Sequence, residues 1–168
     1  TQIADGSSVF RYGQQDLRAA LPSLLQAVGL LLRPGVAENE YAMKLLLRLV
    51  SVARDDMRPH LSSTMQMLTQ TLERVLHNPS NPLFNHYLFE TVASLVRFLC
   101  TPGETGTRHT FEAELFPRFQ YVLANDISEF GPYVFQILSQ MIKVQPAGGD
   151  IPASYSSVLA PLLGVELW

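Results

Sequence analysis

Cysteine is all but missing from the chain. Cys100 is the only one, so no internal disulfide can form, and the composition suits a reducing compartment. Charge is sparse as well: 16% of the residues are charged, with 12 basic against 15 acidic side chains and a net charge of -3. That balance leaves no excess of Lys and Arg of the kind that nucleic acid or an anionic membrane surface requires. Long apolar runs are missing too. The longest, Gly29 to Leu32 and Leu45 to Leu47 with Leu49 and Val50 just beyond, fall far short of the ~20 residues that cross a bilayer. No charged leader precedes an apolar stretch, so the expectation is a soluble, intracellular protein without membrane insertion. Sustained alternation with period two, the mark of half-buried strands, does not occur. Nor do GxGxxG, GxxxxGK(S/T), GxSxG or HExxH, which removes the common nucleotide, hydrolase and zinc-protease signatures.

What the chain does have is apolar residues at spacings of three and four almost throughout, within 168 residues that are 47% apolar. This argues for helices, packed either as one domain or as a short stack of repeats. Arg33-Pro34-Gly35, Asn78-Pro79-Ser80-Asn81-Pro82, Thr101-Pro102-Gly103 and Pro146-Ala147-Gly148-Gly149 read as the loops between them. The pattern predicts helices at about 14–32, 38–54, 58–77, 83–100, 110–125, 128–145 and 152–164. The chain opens on Thr1 without Met and stops at the apolar Trp168, so an excerpt of a longer polypeptide is expected.

A fixed period runs through these helices. Tyr41, Tyr87 and Tyr133 stand 46 residues apart, and the positions after each agree in kind. Offset +2 holds Met43, Phe89 and Phe135; +5 holds Leu46, Val92 and Leu138; +8 holds Leu49, Leu95 and Met141; +9 holds Val50, Val96 and Ile142. Offset +3 is polar each time, with Lys44, Glu90 and Gln136, while Val52, Phe98 and Val144 at +11 widen the apolar face. A second register, with spacing 47, aligns Leu21, Leu68, Leu115 and Leu162. Beside it run Leu25, Leu72 and Phe119, and then Val28, Val75 and Val122. Four helices of one kind therefore alternate with three of another. A helix pair cannot bury so wide a face alone, so neighbouring pairs must stack and share a core. Two helices in a period of 46 or 47 residues fit HEAT repeats, which fall in the range of ~40–47. The expected architecture is an all-α HEAT-repeat superhelix of about three and a half helix pairs and seven helices. Residues 1–13 form a loop or the end of a preceding helix, 14–32 one inner helix, and 38–77, 83–125 and 128–164 the repeats. End faces that lack polar caps predict poor solubility or self-association.

Several residues could be read as chemical groups. His86 and Glu90 stand at i and i+4, a spacing that could supply two metal ligands, but no third ligand is apparent and a bond at a repeat junction is the expectation. His60, His77 and His109 sit in no Cys/His cluster. Cys100 has no CxxC partner and reads as a core thiol. Gly103, Gly106 and Gly148-Gly149 read as connectors, and Pro22, Pro117 and Pro161 are expected where the inner helices begin. No metal, cofactor or catalytic residue is expected. On helix 58–77 the buried stripe takes Leu61, Met65, Leu68, Leu72 and Val75, which leaves Gln66, Gln70, Glu73, Arg74 and His77 for solvent or a partner. On helix 110–125, Phe111, Leu115, Phe119 and Val122 face the core, leaving Glu112, Glu114, Arg118 and Tyr121 outside. These nine residues are the candidate protein-binding row.

Particular stretches also resemble a known family. Glu38-Asn39-Glu40-Tyr41-Ala42-Met43-Lys44 is similar to the start of a central HEAT repeat in the exportin-2 family, and Asn78 through Glu90 (NPSNPLFNHYLFE) is similar to the next repeat junction. Phe111 to Phe116, Asn125 to Gln136, Asp150 to Tyr155 and Leu167-Trp168 keep the order and spacing, so the resemblance spans about residues 9–168. It implies a solenoid of the importin-beta superfamily, a middle stretch of a receptor that carries importin-alpha out of the nucleus with Ran-GTP. In that family the second helix of each repeat lines the inner surface and the receptor itself performs no chemistry. Nuclear pore proteins are a further class of partner. The implied location is the nucleus and cytoplasm, with transit at the nuclear envelope. A HEAT scaffold or assembly platform unrelated to Ran is the rival binding module. An enzyme on a helical scaffold would need titratable groups converging in one pocket, where this sequence disperses them.

Overall fold

The computed structural model describes residues 14–160 apart from 147 and 149, and these are helical with turns between. The helices are α1 (Gln14–Leu32), α2 (Glu40–Ala53), α3 (Leu61–His77), α4 (Pro82–Leu99), α5 (Gly106–Ala124), α6 (Gly131–Lys143) and α7 (Ala153–Leu159), with a 3-10 segment at Arg54–His60. Local sequence sets several of these boundaries. The Asn39 carboxamide oxygen accepts from the Tyr41 and Ala42 amides at 3.0 and 3.1 Å, and Asn81 accepts from the Phe84 amide at 3.1 Å with Pro82 opening the first turn of α4. Both Pro-Gly loops close the same way. Gly35 and Gly103 adopt φ of 84° and 86°, and the Val36 and Glu104 amides reach back to the Arg33 and Thr101 carbonyls at 3.2 and 3.1 Å. This is the turn in which glycine alone is unstrained after proline.

Packing sorts the helices into two layers. α1, α3, α5 and α7 touch in series, as do α2, α4 and α6, and the two series pack on each other. The shared core runs along the seam, from Leu21 and Val28 through Met43, Leu46, Leu68 and Leu72 to Phe89, Phe119, Ile137 and Tyr155. α4 shows why its sequence is apolar nearly all round. It lies between α2 and α6 with the odd-numbered layer beneath, and Phe84, Leu88, Phe89, Val92, Leu95, Val96 and Leu99 are all buried. Polar contacts across helices repeat the same lesson: Arg58–Glu104, Arg118–Glu73, Asn85–Glu129 and Gln136–Glu90 join residues 44 to 46 apart. Partners one period apart in sequence are next to each other in space, as stacking requires.

Some expectations change. Six helices have 13 to 19 residues, whereas the seventh has only seven, Ala153–Leu159, and its expected continuation to 164 lies outside the described residues with Leu162 and the loop 1–13. Residues 58–60 belong to the 3-10 segment, so α3 starts at Leu61, while α5 starts four residues earlier than predicted, at Gly106. Pro22 and Pro117 lie inside α1 and α5, so they do not mark helix starts; Pro161 lies outside the described residues. The +2 column is uneven as well. Met43 and Phe89 are buried, but Phe135 is 45% exposed, at an open cavity that it lines with Val122, Leu123 and Ile127.

Candidate partner-binding face

The predicted row falls on the odd-numbered layer, and the structure divides it into three settings. Gln66 and Gln70 line a groove of about 490 Å³ between α1 and α3, with Pro22, Leu25, Gly29 and Met67 as its apolar floor. Gln26, Arg33, His60 and Ser63 share this groove and were not singled out from the sequence; the loop and 3-10 position of Arg33 and His60 hid them. Arg74 sits at the groove's end, where Nη2 donates to the Leu32 carbonyl at 2.8 Å and Nη1 to the Arg33 carbonyl at 3.3 Å. It therefore satisfies carbonyls at the C-terminus of α1, where a cation also suits the helix dipole.

Glu73, His77, Arg118 and Tyr121 come together between α3 and α5, around a cleft of about 360 Å³ with Leu76 and Pro117. Arg118 Nε donates to Glu73 at 2.9 Å, and its Nη1 donates to the Glu114 carbonyl at 2.6 Å with the Glu114 carboxylate 3.8 Å away. The Tyr121 hydroxyl lies 3.2 Å from His77 Nδ1, with the rings edge to face at 5.3 Å. These partners are half-buried or exposed, so each such pair contributes roughly 0–1 kcal/mol and leaves the side chains open to exchange for a partner's groups.

Glu112 is corrected from a surface residue to a core residue, with 9% of its area exposed. The Tyr155 hydroxyl donates to its Oε1 at 2.9 Å, Arg108 Nε lies 3.4 Å from the same oxygen, and His109 Nδ1 lies 3.0 Å from Oε2. Gln145 donates to the Tyr155 hydroxyl at 2.8 Å. Burial, and then the bond to Glu112, raise the Tyr155 phenol well above its ordinary value. The stripe reading placed Glu112 outward because it follows Phe111. It overlooked that α5 has two neighbours in its layer, α3 and α7, and therefore two buried flanks.

The remaining chemical candidates are structural. His86 Nδ1 lies 3.1 Å from the Tyr133 hydroxyl, and Glu90 accepts from Gln136 at 3.3 Å, so both residues of the i, i+4 pair bind α6. Cys100 is buried, and its thiol is pushed up to about 11 by burial and then by nearby Glu104, which suppresses the thiolate at neutral pH. Among the described residues no His, Cys, Asp and Glu gather in a group able to hold a metal, and no helix is long and apolar enough to cross a membrane.

Comparison with known proteins assigns the chain to a family. The family described as CAS/CSE protein, C-terminus, matches residues 2–168. Exportin-2 of Drosophila melanogaster is 39% identical over 167 residues, covering 99% of this chain and 17% of that protein. Exportin-2 of Oreochromis niloticus is 43% identical over 135 residues, covering 80% of this chain and 14% of the relative, and that of Homo sapiens is 38% identical over 148 residues, or 88% and 15%. The chain thus spans about a sixth of the length of these relatives. By these matches across nearly its whole length, the chain belongs to the CAS/CSE family of exportin-2 proteins.

Proposed function

We propose that this chain is a HEAT-repeat superhelix segment of a nuclear export receptor, with repeats at 38–77, 83–125 and 128–164 after an inner helix at 14–32 and a leading stretch 1–13. The parent protein would bind importin-alpha and Ran-GTP together and carry the adaptor from nucleus to cytoplasm, passing the nuclear envelope through contacts with nuclear pore proteins. It would act by binding alone, without a cofactor and without chemistry of its own. The observation that carries this reading is the likeness to Exportin-2 over 99% of the chain.

The geometry is compatible with such a role. The polar groups of the odd-numbered layer are spread along two grooves and do not converge, which suits recognition by many modest contacts. Gln66, Gln70, Glu73, Arg74, His77, Glu114, Arg118 and Tyr121 form the proposed row, and Glu112 supports it from the core. Recovery of importin-alpha by the full-length parent protein, with Ran locked in the GTP or the GDP state, tests the proposal. Recovery that requires Ran-GTP supports it. Equal recovery in both states would instead fit a HEAT scaffold that never shuttles.

A further inference from the structure

Where α2 runs into the 3-10 segment, the chain holds an arginine in a backbone conformation that arginine rarely adopts. Arg54 has φ 48° and ψ -115°, a region open to glycine and strained for a residue with a side chain. Asp126, the other non-glycine residue with positive φ among those described, is of a type that tolerates it. Strain of this kind gathers at sites that bind. The Arg54 guanidinium stands over the half-buried Phe98 ring of α4, with Cζ 5.5 Å from the ring centroid, and Arg97 Cζ lies 4.8 Å from the same centroid. Further along the seam between α2 and α4, Lys44 Nζ stands 5.4 Å from the centroid of Tyr87, and Arg48 follows one turn later on the same face. All four cations are exposed, and among the described residues none has a carboxylate within ion-pair distance. The carboxylates around them face other groups. Asp55 lies 3.4 Å from Arg58, Asp56 accepts from Arg18 at 2.6 Å, Glu104 accepts from Arg58 at 3.0 Å, and Glu90 accepts from Gln136 of α6. A cation does suit a helix end, but Arg97 obtains that gain from ordinary backbone in the last turn of α4, so the gain does not explain why Arg54 is strained.

We infer that this seam binds an extended acidic segment of a partner protein, whose carboxylates are gripped by Arg54 and Arg97 at one end and met by Arg48 and Lys44 toward the other. From Lys44 to Arg54 the helix rises about 15 Å, the reach of four or five extended residues. A guanidinium fork matches a carboxylate with two parallel hydrogen bonds, and a bound carboxylate also relieves the repulsion between two arginines that share one ring. Four cations on a chain of net charge -3 make no field for a nucleic acid, while the rings of Phe98 and Tyr87 offer apolar contact to a peptide. The seam belongs to the even-numbered layer and joins two helices in direct contact, so it is separate from the row on α3 and α5 and does not depend on it.

Fluorescence anisotropy of a labelled peptide of alternating Glu and Leu, titrated with the full-length parent protein at low salt, tests the inference. Arg54→Gly removes one arginine and suits the local backbone, and Arg97→Gln removes the other from an exposed site; unchanged helical content by circular dichroism checks both. The parent is expected to bind the peptide, more weakly as salt rises, and each variant to lose affinity by about tenfold or more. A matched peptide of Gln and Leu is expected not to bind. Wild-type affinity in either variant overturns the inference, as does equal binding of the neutral peptide. A single-stranded oligonucleotide held more tightly than the acidic peptide through the same two arginines would also overturn it, since the site would then select a bare polyanion.

Discussion

α5 meets its two neighbours in the odd-numbered layer by opposite means. Toward α3 it presents Arg118 and Tyr121, which reach Glu73 and His77 across an open cleft. Toward α7 it presents Glu112, enclosed with Arg108, Tyr155 and Gln145. Both junctions join residues 43 to 45 positions apart, and both use a carboxylate with a guanidinium or phenol, so in sequence they look alike. Water makes the difference. In the cleft each pair trades protein bonds for bonds to water at little net gain, whereas the buried carboxylate has lost its hydration and depends on every remaining partner. The first junction can yield to a binding partner without unfolding the stack, and the second cannot.

The comparison can be broken most sharply at Glu112. Glu112→Ala leaves Arg108 buried without its counter-charge, and chemical denaturation is expected to show a loss of about 3–5 kcal/mol, as for other broken buried pairs. Phe119→Ala, which opens the buried core, should cost roughly 3–5 kcal/mol, and Leu72→Ala about 2–5 kcal/mol. A loss below about 0.5 kcal/mol at all three sites would mean that the wrong faces are buried. Arg118→Ala should cost less than about 1 kcal/mol, since its ion pair with Glu73 is open to solvent. The same variant in the full-length parent should nonetheless lower recovery of importin-alpha, which a purely structural residue would not do at unchanged stability.

Alkaline pH sharpens the contrast by a smaller effect. The Cys100 thiol and the Tyr155 phenol both keep their protons to higher pH in the fold than when unfolded. Their contribution is complete below the unfolded values and is lost as pH rises through the folded ones. For Cys100 the window runs from 9.0 to about 11. Midpoints of urea unfolding should fall across that range, and Tyr155→Phe should reduce the fall. Thiol labelling of Cys100 at neutral pH should be slow until denaturant exposes it.

Much of the stack was legible in the sequence because the signal was repeated. Leu21, Leu68 and Leu115 share a column and are all buried, as are Val28, Val75 and Val122. Three copies of one environment reinforce one another where a single helix would be ambiguous. The ends were not legible for the same reason. Met43, Phe89 and Phe135 read as equals, but only the first two are buried, since burial depends on what packs against the column and a column of letters does not reveal it. Glu112 was misplaced because helical periodicity finds one buried stripe, and α5 has flanks on two sides. Pro22 and Pro117 misled differently: their helices run through them, so local propensity yielded to packing.

The most direct test of the account is a pair of double-mutant cycles on unfolding free energy, one for Glu112 with Tyr155 and one for Glu73 with Arg118. Stacked units with one sealed and one open junction predict a coupling of about 1–3 kcal/mol for the first pair and less than about 0.5 kcal/mol for the second. Zero coupling between Glu112 and Tyr155, or equal coupling in the two cycles, would contradict it.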